Sequence, residues 1–165
     1  VTEWLVQIDV AGEPRTQGSK RAFVIPGKDG GRPRANVVDV KSKPLRTWRT
    51  AIAEEARNEM DGRAPIPAGV PVEMRVRFYL RKPAGAPRTR RTWPVGARSG
   101  DIDKMLRAGL DALRGVAYVD DSQVVHVTEL LKDYSLDGWT GALIDIRPID
   151  DAPASSPSKG GTPTV

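Results

Sequence analysis

The stretch that decides how this chain is read runs from Gly100 to Val125, GDIDKMLRAGLDALRGVAYVDDSQVV. Ile102, Leu106, Leu110 and Leu113 recur at three- and four-residue spacing, which predicts an amphipathic helix over Ile102–Arg114 with those residues facing a core. Gly115 stands where a C-terminal cap belongs. Val116–Val119 then reads as a short strand, Asp120-Asp121 as a tight turn and Gln123–Leu131 as a longer strand. Asp101 and Asp103 stand at the mouth of the helix, Asp120 and Asp121 at the far turn. A helix followed at once by a returning strand would bring the second pair back to the first and gather three or four carboxylates. Hard oxygen ligands of that kind suit Mg²⁺ or Mn²⁺, and such an ion can activate water against a phosphodiester. Capping and turn chemistry account for the same aspartates without a metal, so both readings stand at this point. Asp111, four residues after Arg107, is spaced for an ion pair with it.

Outward from this segment the chain reads as alternating short elements. Thr2–Val10 is a strand with Trp4, Val6, Ile8 and Val10 on one face, followed by the turn-rich Gly12–Lys20. Arg21–Ile25 and Ala35–Val40 are short extended pieces around a Gly/Pro-rich stretch. Ser42 caps a first long helix lined by Leu45, Trp48, Ile52, Ala56 and Met60 and ended by Gly62. Val72–Leu80 alternates strictly, Val72, Met74, Val76, Phe78 and Leu80 against Glu73, Arg75, Arg77 and Tyr79, and is a strand with one face inward. Arg81–Gly100 is a loop long enough to be functional. Trp139–Ile146 is the last strand, and from Pro148 the composition is that of a disordered tail. The order predicts one α+β domain over residues 1–147, a small mixed β-sheet with two main helices, and a flexible tail over 148–165.

Composition narrows the chemistry. The chain has 165 residues with no Cys and one His, so a thiolate metal site, a cysteine nucleophile and a multi-His cage are all excluded. No apolar run is long enough for a membrane span, and the N-terminus carries no signal-peptide pattern. Gly18–Lys20 lacks the upstream glycine of a phosphate loop, so no nucleotide cofactor is expected. The net charge of +5 is uneven: +10 over residues 1–98 and −5 over residues 99–165. A basic body with an acidic segment is suited to a polyanion approached through a cation. Trp4, Trp48 and Trp139 fall on apolar faces and read as core. Trp93, in the arginine-rich loop, reads as an anchor of that loop before a base-stacking platform, and His126 as a half-buried sheet residue. Lys132, near the end of its strand, is placed to approach such a polyanion.

The pattern G-D-I-D-x-M-x-R-A-x-L-D-A-L-x-G-V-x-Y-x-D-D-S-Q-V over Gly100–Val125 strongly resembles the RusA-type Holliday junction resolvases, phage and prophage members included. The early loop GEPRTQGSKR (Gly12–Arg21), the strand Val72–Leu80 and the basic loop before Asp101 are similar too, so the resemblance spans about residues 2–147. It implies a Mg²⁺-dependent endonuclease, with Mn²⁺ able to substitute, that resolves four-way DNA junctions by paired cleavage in recombination and repair. It implies a homodimer acting on branched DNA in the cytoplasm of a bacterial host, at the nucleoid. The metal-binding and catalytic residues it implies are Asp101, Asp103 and Asp121, with Asp120 as a further candidate ligand. Arg107 stands where many members carry a catalytic lysine, and Lys104 where asparagine is common. Arg107 sits on one helical face with Asp103, placed to hold a phosphate oxygen or to pair with Asp103 or Asp111. Lys20, Arg21, Arg88, Arg90, Arg91, Arg98 and Lys104 are the expected DNA contacts, with Lys28, Arg32 and Arg34 beside them. Two alternatives stay open: a branched-DNA-binding protein of this fold with little cleavage, and a broader fork or flap nuclease.

Overall fold

A computed structural model describes residues 3–18, 21–25, 34–38 and 43–150, with 21–25 and 34–38 described as backbone only. Its elements are β1 (Val6–Ala11), β2 (Arg21–Ile25), β3 (Arg34–Val38), α1 (Lys43–Met60), β4 (Val72–Leu80), α2 (Ile102–Leu113), β5 (Val124–Tyr134) and β6 (Gly141–Pro148). Four strands form one mixed sheet in the order β1-β6-β4-β5, and β2 pairs with β3 in a separate antiparallel ribbon. β6 runs antiparallel to both β1 and β4, whereas β5 runs parallel to β4. A parallel neighbour demands a crossover, and here the long loop and α2 supply it. The α+β architecture expected from the element order is the one observed. Among the described residues no helix is long and apolar enough to cross a membrane.

The alternation of β4 sorts its side chains as the sequence implies. Val72, Met74, Val76 and Phe78 are buried, together with Val6, Ile8 and Val10 of β1 and Ala142, Ile144 and Ile146 of β6. Leu45, Trp48, Ile52, Ala53, Ala56 and Met60 of α1 complete this core from the helical side. Removing such side chains from water stabilises the fold by about 1.5–3 kcal/mol each. The opposite face of the sheet is an ionic lattice. Arg75 Nε donates to Asp145 Oδ2 at 2.7 Å, Gln7 Nε2 to Asp145 Oδ1 at 3.4 Å, and Arg147 pairs with Glu73 at 3.1 Å. The guanidinium groups of Arg75 and Arg147 lie over the Trp4 ring, at 5.0 and 4.5 Å from its centroid, so Trp4 is a cation–π partner and not a core residue.

Several expected boundaries and faces differ. β1 begins at Val6, and β5 extends to Tyr134 with His126 exposed on it. The last strand begins at Gly141, because Asp137 turns the chain by accepting from Trp139 N (3.0 Å) and Ser135 Oγ (2.9 Å). Trp139 is half-buried, tilted against Tyr79 with ring centroids 6.1 Å apart. β6 runs through Pro148, and Ile149 N donates to Pro71 O at 2.8 Å, so the folded unit continues past residue 147. The helix cap expected at Ser42 and the tail from 151 onward lie outside the described residues.

Two differences bear on the site. α2 turns Met105, Ala108, Gly109, Ala112 and Leu113 to the core, leaving Ile102, Leu106 and Leu110 half-buried. Small residues on its inner face let α2 lie close to α1, since helix separation follows the side chains at the contact; the larger residues flank that line. Val116–Val119 is not a strand. Gly115, at φ +73, reverses the chain so that its N–H donates to Tyr118 O at 2.7 Å, and Tyr118 is buried with its hydroxyl donating to Leu110 O at 2.9 Å. The chain thus turns back on itself at the far end of α2.

Candidate active site

Asp101 is the N-cap of α2, with extended backbone (φ −85°, ψ 134°), and its carbonyl accepts from Met105 N at 3.1 Å. Its carboxylate does not cap the helix; it accepts from Lys104 Nζ at 2.5 Å instead. That hydrogen bond and the Lys104 charge, with the more distant charge of Lys132, hold the Asp101 carboxyl below the usual carboxylate range. The same bond, together with the Asp101 charge, raises the Lys104 ammonium above its usual value. Asp103 opens the first turn, exposed and without an ion pair to any described residue. The mouth of α2 therefore presents two carboxyl groups as oxygen donors, and that of Asp101 already accepts from an ammonium.

Three segments build this mouth. Gly100 has φ +78°, and a Cβ there would stand 2.6 Å from Thr16 Cγ2, so the early loop packs directly on the residue before Asp101. Gln17 N donates to Lys104 O at 3.0 Å and ties that loop to the first turn. From the third side, Lys132 of β5 donates to Gly100 O (2.7 Å) and Ser99 Oγ (3.1 Å). Lys132 is thus a brace and not the DNA contact expected of it. A cleft of about 230 Å³ beside this point is lined by Glu13, Arg15, Arg81, Arg98, Ser99 and Thr140 among others. Its arginines give the approach to Asp101 a positive wall, suited to phosphate.

The second aspartate pair lies elsewhere. Asp120 accepts from Ser122 N at 3.0 Å and its N–H donates to Gln123 Oε1 at 2.9 Å, a reciprocal cap over the single 3₁₀ turn Asp121–Gln123. Arg114 pairs with Asp120 at 2.7 Å, and Gln123 Nε2, buried, reaches Pro67 O and Val70 O. The Ser122 bonds lead, and the Arg114 charge adds, in holding the Asp120 carboxyl below its usual range. Asp120 and Asp121 precede β5, whereas Asp101 neighbours Lys132 near its other end; eight residues of strand span about 26 Å. The twelve residues of α2 span about 18 Å between the same two places. Among the described residues no three His, Cys, Asp or Glu side chains stand close enough to share an ion. The gathering of both pairs expected within one chain is not made. The reason is the turn at Gly115: the chain reverses at the far end of α2, and it is β5 that travels back, so Lys132 arrives at the mouth in place of Asp121.

The remaining residues sort by location. Arg107 is exposed one turn after Asp103, with no hydrogen bond or ion pair to a described residue. Asp111 pairs with Arg49 of α1 at 3.7 Å rather than with Arg107, as α2 turns that side toward α1. Arg88, Arg90, Arg91 and Arg98 are all exposed on the loop before Asp101. Lys20, Lys28 and Arg32 lie outside the described residues, and of Arg21 and Arg34 the backbone alone is described. Trp93 is 48% exposed, so it does not anchor its loop; the buried Pro94 beside it does. Sequence reading missed the bracing role of Lys132 and of Thr16, because both act across the fold on backbone or a missing side chain, and neither leaves a local motif.

The family model described as Endodeoxyribonuclease RusA matches residues 26–146. The match takes in α1, the main sheet from β4 onward, the arginine-rich loop and both aspartate pairs, and begins after the early loop. No curated protein matches the chain. With the aspartate-bearing helix mouth and most of the chain inside the match, this chain belongs to the RusA endodeoxyribonuclease family, the family of Holliday junction endonucleases.

Proposed function

We propose that this protein is a Mg²⁺-dependent endonuclease that cuts a four-way DNA junction on two symmetry-related strands, acting as a homodimer. The observation that carries this is the exposed Asp101–Asp103 pair, with Asp101 already accepting an ammonium at 2.5 Å. Two exposed carboxylates are a poor place for a phosphate and a good one for a hard cation. Mg²⁺ held there, or Mn²⁺ in its stead, would polarise the scissile phosphate and acidify a bound water. Lys104 must release Asp101 for this, and its freed ammonium then faces the DNA backbone. Arg107, exposed on the same side of the helix as Asp103, is available to a phosphate oxygen as a planar fork. Arg88, Arg90 and Arg98 supply sequence-independent backbone contacts, whereas Arg91 is held by Asp133 at 2.5 Å.

The homodimer reading draws support from what a single chain does not assemble. Asp121 lies a helix length from Asp101, and exposed apolar residues flank it on both sides, Val119 at 47% and Val125 at 65%. A two-fold related copy that covers Val119 and Val125 would bring one protomer's Asp121 toward its partner's Asp101 and Asp103, twice over. Two such sites match the two strands that resolution must cut.

The test is a synthetic four-way junction with Mg²⁺ and either wild type or Asp103→Asn. Wild type should cut the junction at paired positions, and Asp103→Asn should lose about 100-fold in rate or more while still binding. Tight binding without cleavage by wild type would sink the enzyme reading, and full activity in Asp103→Asn the metal assignment. Equal cleavage of forks and junctions would point to a broader branched-DNA nuclease.

A further inference from the structure

Of the large apolar residues exposed on the described surface, Trp93 and Val95 are two positions apart on the arginine-rich loop, at 48% and 89% exposure. We infer that Trp93 is the platform on which an unstacked base at the branch point of the DNA substrate comes to rest. Four observations converge on it. The indole is turned outward, although Pro94 beside it is buried, so the loop is anchored without it. The Arg91 guanidinium lies over the ring at 4.0 Å from its centroid, and Asp133 of β5 holds that guanidinium at 2.5 Å. One face of the indole is thereby stacked and fixed, and a base on the open side would extend the stack by one member.

The third observation is rigidity toward the cutting site. Ser99 Oγ is within 2.6 Å of both Pro94 O and Gly96 O, and Lys132 grips Ser99 and Gly100. Trp93 is thus held in a fixed relation to Asp101 through a cross-linked stretch of loop. The fourth is charge: Arg88, Arg90 and Arg98 bring phosphates to the same loop, and an aromatic set among arginines is the composition that binds unpaired nucleotides. In continuous duplex every base is stacked and the platform finds no partner. At a branch point the terminal pairs have lost a neighbour and unstack at the least expense. The platform therefore favours branched over linear DNA. The inference rests on the branched-DNA reading above and names the side chain that performs the discrimination.

The experiment compares equilibrium binding of the full chain, without divalent metal, to a four-way junction and to a linear duplex of equal length. Wild type, Trp93→Ala and Trp93→Phe are measured, with thermal unfolding as a control; the ring is exposed, so its loss should leave the melting temperature in place. Trp93→Ala should weaken junction binding about tenfold, the loss of one stacked base, and leave duplex binding within about twofold. Trp93→Phe should keep most of the preference, since phenyl also stacks. Equal weakening on both DNAs, or none on either, would overturn the inference while leaving the nuclease reading intact. A wild type that binds junction and duplex equally would instead remove the branch-selective reading and this inference with it.

Discussion

The Lys132 ammonium donates to the carbonyl of Gly100 at 2.7 Å, so the last third of β5 is bolted to the residue that precedes Asp101. It also reaches Ser99 Oγ, and its charge adds to that of Lys104 in keeping Asp101 ionised. This brace sets the angle at which the mouth of α2 meets the arginine-rich loop. Lys132→Met should therefore slow junction cleavage about tenfold or more, as expected for a small displacement of reacting groups. Junction affinity should stay within about threefold, because Lys132 faces the protein. Single-turnover rates beside binding isotherms decide it, and parallel loss of both would count against a positioning role.

The distance between the two aspartate pairs leads to a complementation test. Asp103→Asn and Asp121→Asn should each be inactive alone. If the site is shared between protomers, a mixed dimer of the two variants contains one fully wild-type site and one doubly substituted site. The mixture should then regain strand nicking of a cruciform plasmid without paired resolution. Continued inactivity of a verified mixed dimer would mean that each site is built within one chain.

Asp120 is bound up in local structure, capping the turn before β5 and pairing with Arg114. Asp120→Ala should lower stability by about 1 kcal/mol, the ordinary effect of a lost cap. Asp120→Asn should cost less, because an amide oxygen still accepts from Ser122 N. Both variants should keep cleaving the junction. Loss of cleavage in both, with unchanged denaturant midpoints, would instead make Asp120 a ligand.

Tyr118 governs behaviour in alkali. Its burial, followed by the negative charges of Asp121, Asp111 and Asp120, pushes the phenol well above the usual tyrosine range. The unfolded chain ionises this group near pH 10 and the folded chain does not, so its contribution is complete below about pH 10 and falls as pH rises further. Tyr118→Phe loses the bond to Leu110 O, about 1 kcal/mol at neutral pH, but has no proton to lose. Urea midpoints measured at about pH 8 and about pH 10.5 should fall further for wild type than for the variant.

Local patterns carried much of this molecule. The two-residue alternation of Val72–Leu80 and the helical face from Leu45 to Met60 are read by burial against water, a force that acts residue by residue. The order of the helices and the longer strands was therefore legible, though not the absence of a strand at Val116–Val119, and so were the loop before Asp101 and the Asp-x-Asp at a helix mouth. Where reading failed, the deciding interaction was not local. Ala108, Gly109 and Ala112 became the inner line of α2 because α1 approaches closely there, which periodicity of large residues does not register. Trp93 turned outward because Pro94 took the anchoring position.

The sequence by itself determined the chemistry: oxygen donors and arginines, with no thiol and one imidazole. Only the tertiary structure decided which of these stand together. Asp101 and Asp120 are separated by nineteen positions of chain, a spacing compatible with contact or with the length of a helix. The turn at Gly115 and the parallel path of β5 chose the second, leaving Lys132 beside Asp101 and Asp121 at the far end. Hydrogen-bonded pairing of β5 with β4 shifts twice near its start and then holds one register from Arg75–Glu129 to Leu80–Tyr134, and that long-range choice appears in no single stretch of residues.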